Sequence, residues 1–184
     1  NNPEDESQGK REIVFSKYLY IEREDFRETA NRKFFRLTIG KEVRLKNAYI
    51  IKGDKCIKNK NGEIIEIQCT YDPKSKSGSN SEESKRKVKG TIHWVDIKSS
   101  TDVKINEYDR LFLSEKPEEN EDLIKGINEN SKKRIAGKSE KYVSSLKKGQ
   151  KVQFQRKGYY IVDKNKNGYI TFNKTVSLRE SRRK

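Results

Sequence analysis

Three short groups of residues combine cationic, aromatic and amide side chains in a way that suits contact with unpaired nucleotides. They are Lys33-Phe34-Phe35-Arg36, the pair Arg44 and Lys46, and the set Gln153, Arg156 and Tyr159. An arginine can bond a base edge or a phosphate, an amide can donate and accept, and an aromatic ring can stack on a splayed base. The mixture predicts binding of single-stranded RNA, although a barrel surface with core aromatics and solvated lysines has a similar pattern.

The second and third groups lie in segments that predict β-strands. VRLKNAYIIK (43–52) alternates, which predicts one strand with Arg44 and Lys46 side by side on one exposed face. KKGQKVQFQRKGYYIVD (147–163) also alternates after its glycine, with Val152, Phe154 and Arg156 on one face and Gln153 and Gln155 on the other.

The other predicted elements are short strands separated by turns. Further strands are predicted over residues 11–26, 91–97, 103–112 and 169–178. Asn61-Gly62 predicts the turn of a hairpin over residues 55–70, which places Cys56 opposite Ile67, and Asn167-Gly168 predicts a second turn. Many short strands with turn signals between them favour one or two β-barrels.

Two segments do not read as strands. Residues 72–87 are rich in Ser, Lys, Gly and Glu and have no periodicity, so they are the best candidate for a mobile loop. The acidic segment 115–130 has low β-propensity, and a short helix is predicted around Asp122–Ile127.

The chain has 184 residues and a net charge of +15, from 43 Lys and Arg against 28 Asp and Glu. Such a surface attracts polyanions, among them RNA, DNA and anionic lipid. The sequence contains neither an apolar run of about 18 residues nor a signal-peptide pattern. We therefore expect a cytoplasmic protein that does not enter a membrane, with Cys56 and Cys69 reduced. Because the sequence contains no Met, we expect it to be part of a longer chain.

No catalytic, cofactor or metal site is predicted in the sequence. His93 is the only histidine, and the phosphate-binding patterns GxxxxGK[ST] and GxGxxG are absent. DKNKNGYITFNK (163–174) resembles an EF-hand calcium loop, but its twelfth residue is Lys174 instead of a bidentate Glu. We expect a hairpin turn there.

Seven blocks of the sequence resemble the C-terminal, anticodon-binding half of bacterial-type glutaminyl-tRNA synthetases. In the family's order they are REIVFSKYLYIEREDF (11–26), GKEVRLKNAYIIK (40–52), CTYDPKSKSG (69–78), KVKGTIHWV (87–95), YDRLF (108–112), QFQRKGYY (153–160) and FNKTVSLR (172–179). That half of the family is two β-barrels that clasp the anticodon loop. The resemblance therefore implies that the partner is glutamine tRNA with a CUG or UUG anticodon.

The resemblance also implies which residues read the bases. Arg36 matches an arginine that reads the third anticodon base, a guanine. Gln153 and Arg156 match residues that read the middle base, a uridine, although Gln155 replaces a frequent acidic residue between them.

The first anticodon nucleotide and nearby phosphates are the implied contacts of Arg44 and Lys46. In the family an arginine is common at the position of Lys46, and a lysine can carry only a point charge there. Lys33 and Phe34 complete the predicted tRNA anticodon-binding site.

The resulting fold prediction is mainly β, with two small antiparallel β-barrels of the family's type. We expect a disordered tail over residues 1–10, a first barrel region over 11–112 and a second over 113–184. In an alternative division, the strand over 11–25 joins the second barrel and makes the boundary discontinuous.

The catalytic half of the family carries two ATP motifs, one with paired histidines and one with a Lys-Met-Ser-Lys-Ser core. With one His and no Met, this chain contains neither. We therefore expect a non-catalytic, monomeric fragment without a cofactor. ATP and Mg²⁺ would serve the full-length enzyme, which joins glutamine to tRNA.

Three alternatives stay open at this point. A ribosomal-RNA-binding β-barrel protein would need no base-specific set of arginine and glutamine. A fragment of a glutamyl-tRNA synthetase would have a similar β-barrel half. An independent enzyme such as a nuclease is the least favoured, because no metal or acid–base cluster is predicted.

Overall fold

The structure, a computed structural model, describes residues 5, 7, 9–119, 122–166 and 169–178. The chain divides into two units, Asn1–Lys98 and Ser99–Lys184. The predicted boundary lay instead between residues 112 and 113. The difference arises because the strand over residues 101–108, which falls in the predicted first region, pairs with strands of the second unit.

The first unit contains a four-stranded sheet and a two-stranded sheet. Its strands are β1 (Leu19–Ile21), β2 (Glu42–Leu45), β3 (Ile50–Lys58), β4 (Ile64–Asp72), β5 (Thr91–Ile92) and β6 (Trp94–Asp96); α1 spans Glu82–Lys85, and 3-10 helices span Arg23–Asp25 and Pro73–Ser75. The larger sheet has the order β4-β3-β2-β5, and β1 pairs with β6. All of these pairs are antiparallel except β2 with β5.

One hydrophobic core lies in the first unit. Its buried members include Leu37, Val43, Leu45, Ile92 and Trp94. The alternation of β2 therefore directs its apolar side chains inward, as the sequence predicts. The Trp94 indole Nε1 donates to the Lys46 carbonyl at 2.9 Å, which satisfies the polar atom of a buried ring.

The segment 43–52 forms two strands of a hairpin, so the prediction of one strand is wrong. β2 ends at Leu45, whose amide donates to the Tyr49 carbonyl at 2.8 Å across the turn. Asn47 adopts a left-handed conformation with φ of 57°, which asparagine tolerates better than most residues. Lys46 thus lies in the turn and does not share a strand face with Arg44.

The hairpin predicted around Asn61-Gly62 is confirmed. β3 and β4 pair antiparallel, and Cys56 lies opposite Ile67 in their register. Gly62 has a φ of 79°, which glycine adopts without the steric cost of a Cβ.

The second unit contains a five-stranded sheet. Its strands are β7 (Thr101–Tyr108), β8 (Lys132–Ser139), β9 (Lys151–Phe154), β10 (Gly158–Lys166) and β11 (Tyr169–Val176), and 3-10 helices span Pro117–Glu119 and Lys141–Ser145. The order is β8-β7-β11-β10-β9, with β7 and β11 parallel and the other pairs antiparallel. Its core includes Val103, Tyr160, Val162, Ile170 and Phe172.

The mainly β class is confirmed, but the sheets are mixed instead of wholly antiparallel, since each larger sheet has one parallel pair. The strand predicted over 11–26 is shorter, and as β1 it pairs with β6 of its own unit. Closure of either sheet into a barrel stays a prediction.

The helix predicted around Asp122–Ile127 is wrong, because this stretch forms consecutive turns. Their amides bond three residues back, as in Gly126 N to Leu123 O at 3.2 Å. The Asp122 carboxylate also accepts the Ile124 amide at 3.0 Å, which competes with a helical pattern.

Some predicted features lie outside the described residues. These are the Asn167-Gly168 turn, the basic end over 179–184 and most of the tail over 1–10. Within the described part of the chain, no helix has the length and apolar character to cross a membrane.

Candidate nucleic-acid interface

The backbone around Arg36 is fixed by pairing between two non-strand segments of the first unit. Phe26 and Leu37 form a parallel bridge, in which the Arg27 amide donates to the Leu37 carbonyl at 3.1 Å. The Leu37 amide donates in turn to the Asp25 carbonyl at 3.0 Å. Because Phe26 and Leu37 are both buried, Arg36 is attached to a well-packed part of the core.

The Arg36 guanidinium forms an ion pair with a carboxylate that is fully buried. Its Nη1 lies 2.9 Å from Asp25 Oδ1, and Asp25 is 0% exposed whereas the Arg36 side chain is 38% exposed. Nη1 also donates to the Glu24 carbonyl at 3.3 Å. Arg36 therefore faces solvent while one end of its guanidinium is held by the protein.

Arg36 lines a cleft of about 440 Å³ on the first unit. One wall is the segment that contains Phe34 and Phe35, and the other is residues 87–90. The cationic residues of the lining are Arg32, Arg36, Lys41, Lys87 and Lys89. The lining also contains one carboxylate, Glu42, so cations predominate in the cleft. Such a cleft suits a nucleotide, because an exposed aromatic ring can stack on a base and the cations can pair with phosphates.

The two phenylalanines differ in their exposure. The Phe34 ring is half-buried, and the Arg27 guanidinium lies over it at 4.7 Å from the ring centroid. Phe35 is 52% exposed. Phe35 belongs to the first predicted group but was not assigned to the anticodon-binding site, and it is thus the better stacking surface of the two.

Three further lysines lie in this region, and only two of them line the cleft. Lys33 is exposed in a turn in which its amide donates to Asn31 Oδ1 at 3.0 Å, and it does not line the cleft. Lys87 and Lys89 were missed, although they lie in the KVKGTIHWV block that carries the resemblance. Their position in that block, just before β5, was the available signal.

Gly90 allows the two walls of the cleft to approach each other. A Cβ at this position would lie 2.1 Å from the Phe35 carbonyl oxygen and 3.2 Å from Val43 Cγ1. The nearer atom belongs to the backbone and the other to the stiff, buried side chain of Val43, so the backbone would have to move.

We expect Gly90→Ala to lower the free energy of unfolding of the first unit by about 2 kcal/mol. Urea unfolding followed by Trp94 fluorescence measures this, because Trp94 is the single tryptophan and lies in the core of that unit. Lys89→Ala, a change at the neighbouring exposed residue, serves as the control and should stay within about 0.5 kcal/mol. Equal stability of the two variants would show that the walls do not press on each other at Gly90.

Arg44 is a structural residue rather than an exposed one, which corrects its predicted position. Its Nη1 donates to the Ser75 carbonyl at 2.9 Å and to Ser77 Oγ at 3.3 Å. Its Nη2 donates to the carbonyls of Ser84 and Arg86 at 2.9 and 3.1 Å. All four acceptors lie in the 73–86 loop, so one guanidinium ties that loop to β2.

Serines and a second arginine add to the order of the 73–86 loop. Ser75 is fully buried, and its hydroxyl accepts the Ile50 amide at 2.8 Å. Arg86 bonds Glu42 and, at 3.2 Å, Asp72. The hydrogen bond to Glu42, with that to Asp72, raises the pKa of the Arg86 guanidinium. The segment predicted as a mobile loop is therefore one with many internal bonds.

Lys46 has a fixed backbone and an exposed side chain. Its amide donates to the Ile92 carbonyl at 3.0 Å, and its carbonyl accepts from Trp94. It can therefore present a charge to a phosphate from a defined position.

In the second unit, the third predicted group lies at one end of the β9–β10 hairpin. Gln153 pairs with Tyr159 across the two strands, and both side chains are exposed on the same face. Arg156 lies in the turn between the strands with a φ of 68°, so its predicted place in the strand alternation is wrong. The hairpin brings an amide, a ring and a guanidinium together within seven residues.

The described residues contain no group of three or more His, Cys, Asp or Glu that could hold a metal ion. His93 lies between β5 and β6, next to the buried Trp94. The residues of the first-unit cleft and of the β9–β10 hairpin can supply hydrogen bonds, stacking surfaces and charge.

Comparison with protein families gives two matches. One lies within the first unit and the other lies mostly within the second unit. Residues 1–72 and residues 91–163 each match a model of the family described as "tRNA synthetases class I (E and Q), anti-codon binding domain". Arg36, Arg44 and Lys46 fall in the first match, and Gln153 and Arg156 fall in the second.

Curated relatives match nearly the whole chain. A glutamine–tRNA ligase of Rhodopirellula baltica is 46% identical over 98% of the chain and 30% of its own length. The glutamine–tRNA ligases of Clostridium kluyveri and Clostridium perfringens are 43% and 46% identical, each over 98% of the chain and 33% of the relative. The chain thus spans about a third of the length of the curated relatives it matches.

Proposed function

This chain belongs to the anticodon-binding domains of the class I tRNA synthetases for glutamate and glutamine, and we propose that it recognises the anticodon loop of glutamine tRNA. The observation that carries the proposal is the basic, aromatic-lined cleft in which Arg36 is held by a buried carboxylate. An arginine fork fits the O6 and N7 acceptors of guanine, the third base of CUG and UUG anticodons.

The two units would then have separate roles in reading the anticodon. Arg36 would read the third base, with Phe35 as a stacking surface. Gln153 and Arg156 would read the middle base, since an amide and a guanidinium can satisfy the mixed donors and acceptors of a uridine. Lys46 would pair with a phosphate near the first base, and Arg44 would act through the loop that it holds.

Ligation of glutamine to tRNA is proposed for the whole protein and not for this chain. In that protein ATP and Mg²⁺ would act in a catalytic part outside the present sequence, in the cytoplasm and within a monomer. The proposal is supported by the glutamine–tRNA ligases among the relatives, of which this chain matches about a third. Charging of glutamine tRNA by this chain alone would contradict it.

Binding to anticodon stem-loops tests the proposed function. We expect the 184-residue chain to bind a glutamine tRNA stem-loop more tightly than loops changed only at the middle or the third base, by about 1–3 kcal/mol per base. Fluorescence anisotropy at one fixed, moderate salt concentration measures this. Salt must be fixed because a +15 chain also binds phosphates without regard to sequence. Equal affinity for all loops would favour a general RNA-binding protein, such as a ribosomal-RNA-binding barrel.

A further inference from the structure

Asp25 is the only carboxylate among the fully buried residues that contacts a residue of the proposed base-reading site in the described structure. It ends the 3-10 helix Arg23–Asp25, and its Oδ1 forms an ion pair with Arg36 Nη1 at 2.9 Å. Its backbone carbonyl accepts the amide of Leu37, the residue after Arg36. Asp25 therefore fixes both the main chain and the side chain at the same point of the site.

The contact with Asp25 leaves part of the Arg36 guanidinium available to donate hydrogen bonds to a ligand. A guanidinium has five N–H groups, and Nη1 carries two of them. Nη1 forms the ion pair with Asp25 Oδ1 and donates to the Glu24 carbonyl, so it is the Nη1 end of the guanidinium that the protein holds. Neither contact involves the edge formed by Nε and Nη2. This edge carries two parallel N–H groups, which is the arrangement that matches O6 and N7 of guanine.

A held guanidinium differs from a mobile one in what it can discriminate. A solvated arginine can turn a different pair of donors toward each base, and it loses side-chain entropy when it binds. Arg36 is already oriented, because a buried charge is costly unless its partner stays in place. The side-chain entropy of Arg36 is therefore lost during folding and not during RNA binding. A base whose acceptors do not match the Nε–Nη2 edge finds no other pair of donors on Arg36.

We propose that Asp25 is a positioning and specificity-determining residue, which holds Arg36 so that only its Nε–Nη2 edge meets the third anticodon base. The inference rests on the proposed function, since it assumes that Arg36 contacts that base. It goes further in assigning selectivity for guanine to a carboxylate that is inaccessible to the RNA.

Asp25→Asn tests the role of Asp25, because asparagine keeps the shape of the side chain and removes its charge. The variant raises the net charge from +15 to +16, and this change by itself strengthens binding to any RNA. We expect the preference of the chain for guanine over adenine at the third position, roughly ten- to hundredfold, to fall at least about fivefold. The fall should come from weaker binding of the guanine loop.

Glu12→Gln is the matched control, because it makes the same charge change at an exposed residue of the same unit. It should keep the guanine preference and bind both loops equally well or slightly more tightly. If Asp25 had only a structural role, the variant would bind the guanine and adenine loops more weakly by the same factor. The ratio of the two affinities would then be unchanged. That result, with a folded variant, would overturn the proposal.

A measurement on the unchanged chain covers the case in which Asp25→Asn does not fold. At low temperature, NMR should show slowly rotating guanidinium protons for Arg36, assigned by their loss in Arg36→Lys. Free rotation of this group in the RNA-free chain would overturn the proposal.

The two proposals can fail separately. If Arg36→Lys keeps the guanine preference, the third-base contact itself is wrong. If Arg36→Lys loses the preference and Asp25→Asn keeps it, only the role of Asp25 is wrong.

Discussion

Arg44→Ala should lower the free energy of unfolding of the first unit by about 3 kcal/mol, because a charged donor to four acceptors is lost. Three of the acceptors are main-chain carbonyls of the 73–86 loop, and no neighbouring side chain of β2 can replace a planar fork with four bonds. Arg44→Lys should recover only part of the loss, since an ammonium group lacks the geometry to reach two pairs of acceptors. Urea unfolding followed by Trp94 fluorescence measures both variants.

Lys46→Ala is the control for Arg44→Ala, because it removes the same charge from an exposed side chain two residues away. Its effect on stability should stay within about 0.5 kcal/mol. RNA binding separates the two roles that Arg44 could have. If Arg44 were a direct phosphate contact, its removal would leave stability unchanged and reduce the salt slope of RNA binding by about 0.7.

Arg36→Lys should reduce discrimination between guanine and adenine at the third anticodon position by about 1–3 kcal/mol. Lysine keeps the charge that faces the buried Asp25 carboxylate, so the fold is retained better than with alanine. It loses the planar fork, because its ammonium group is a point donor. Anisotropy titrations with paired stem-loops measure the change.

Lys33→Ala gives the contrasting result for a cation of the same segment. Lys33 is exposed and does not line the cleft, so its loss should weaken binding to every loop by a similar factor. It should also reduce the salt slope by about 0.7. If Lys33→Ala and Arg36→Lys change the preference for guanine equally, the cleft does not hold the third base.

The parts of this structure that sequence predicts are those set by local signals. A turn dipeptide sets the β3–β4 register, which is why Cys56 was placed opposite Ile67 correctly. Alternation in β2 placed Val43 and Leu45 in the core. The family was identified because its blocks keep their order along the whole chain.

The parts that sequence misses depend on distant partners. The acceptors of Arg44 lie 31 to 42 residues further along the chain, so its alternation in β2 gives no sign that the loop covers it. The turn at Asn47 contains neither glycine nor proline, and a periodic pattern runs through it. In the sequence Asp25 is one of several acidic residues in a polar stretch, and nothing local predicts that it is fully buried beside Phe26.

The strand order of the second unit has a consequence for the way in which the protein is made. β11 lies between β7 and β10, yet it is the last of the five strands in sequence. During synthesis from the N-terminus, β7 can first pair only with β8, and β9 only with β10. Two-stranded ribbons of this kind are marginally stable in water by themselves. Ile170 and Phe172, which are both fully buried in the core, arrive with the final strand. The central strand of this sheet, β11, is therefore synthesised after the four strands that flank it. The second unit can complete its fold only when β11 has left the exit tunnel of the ribosome.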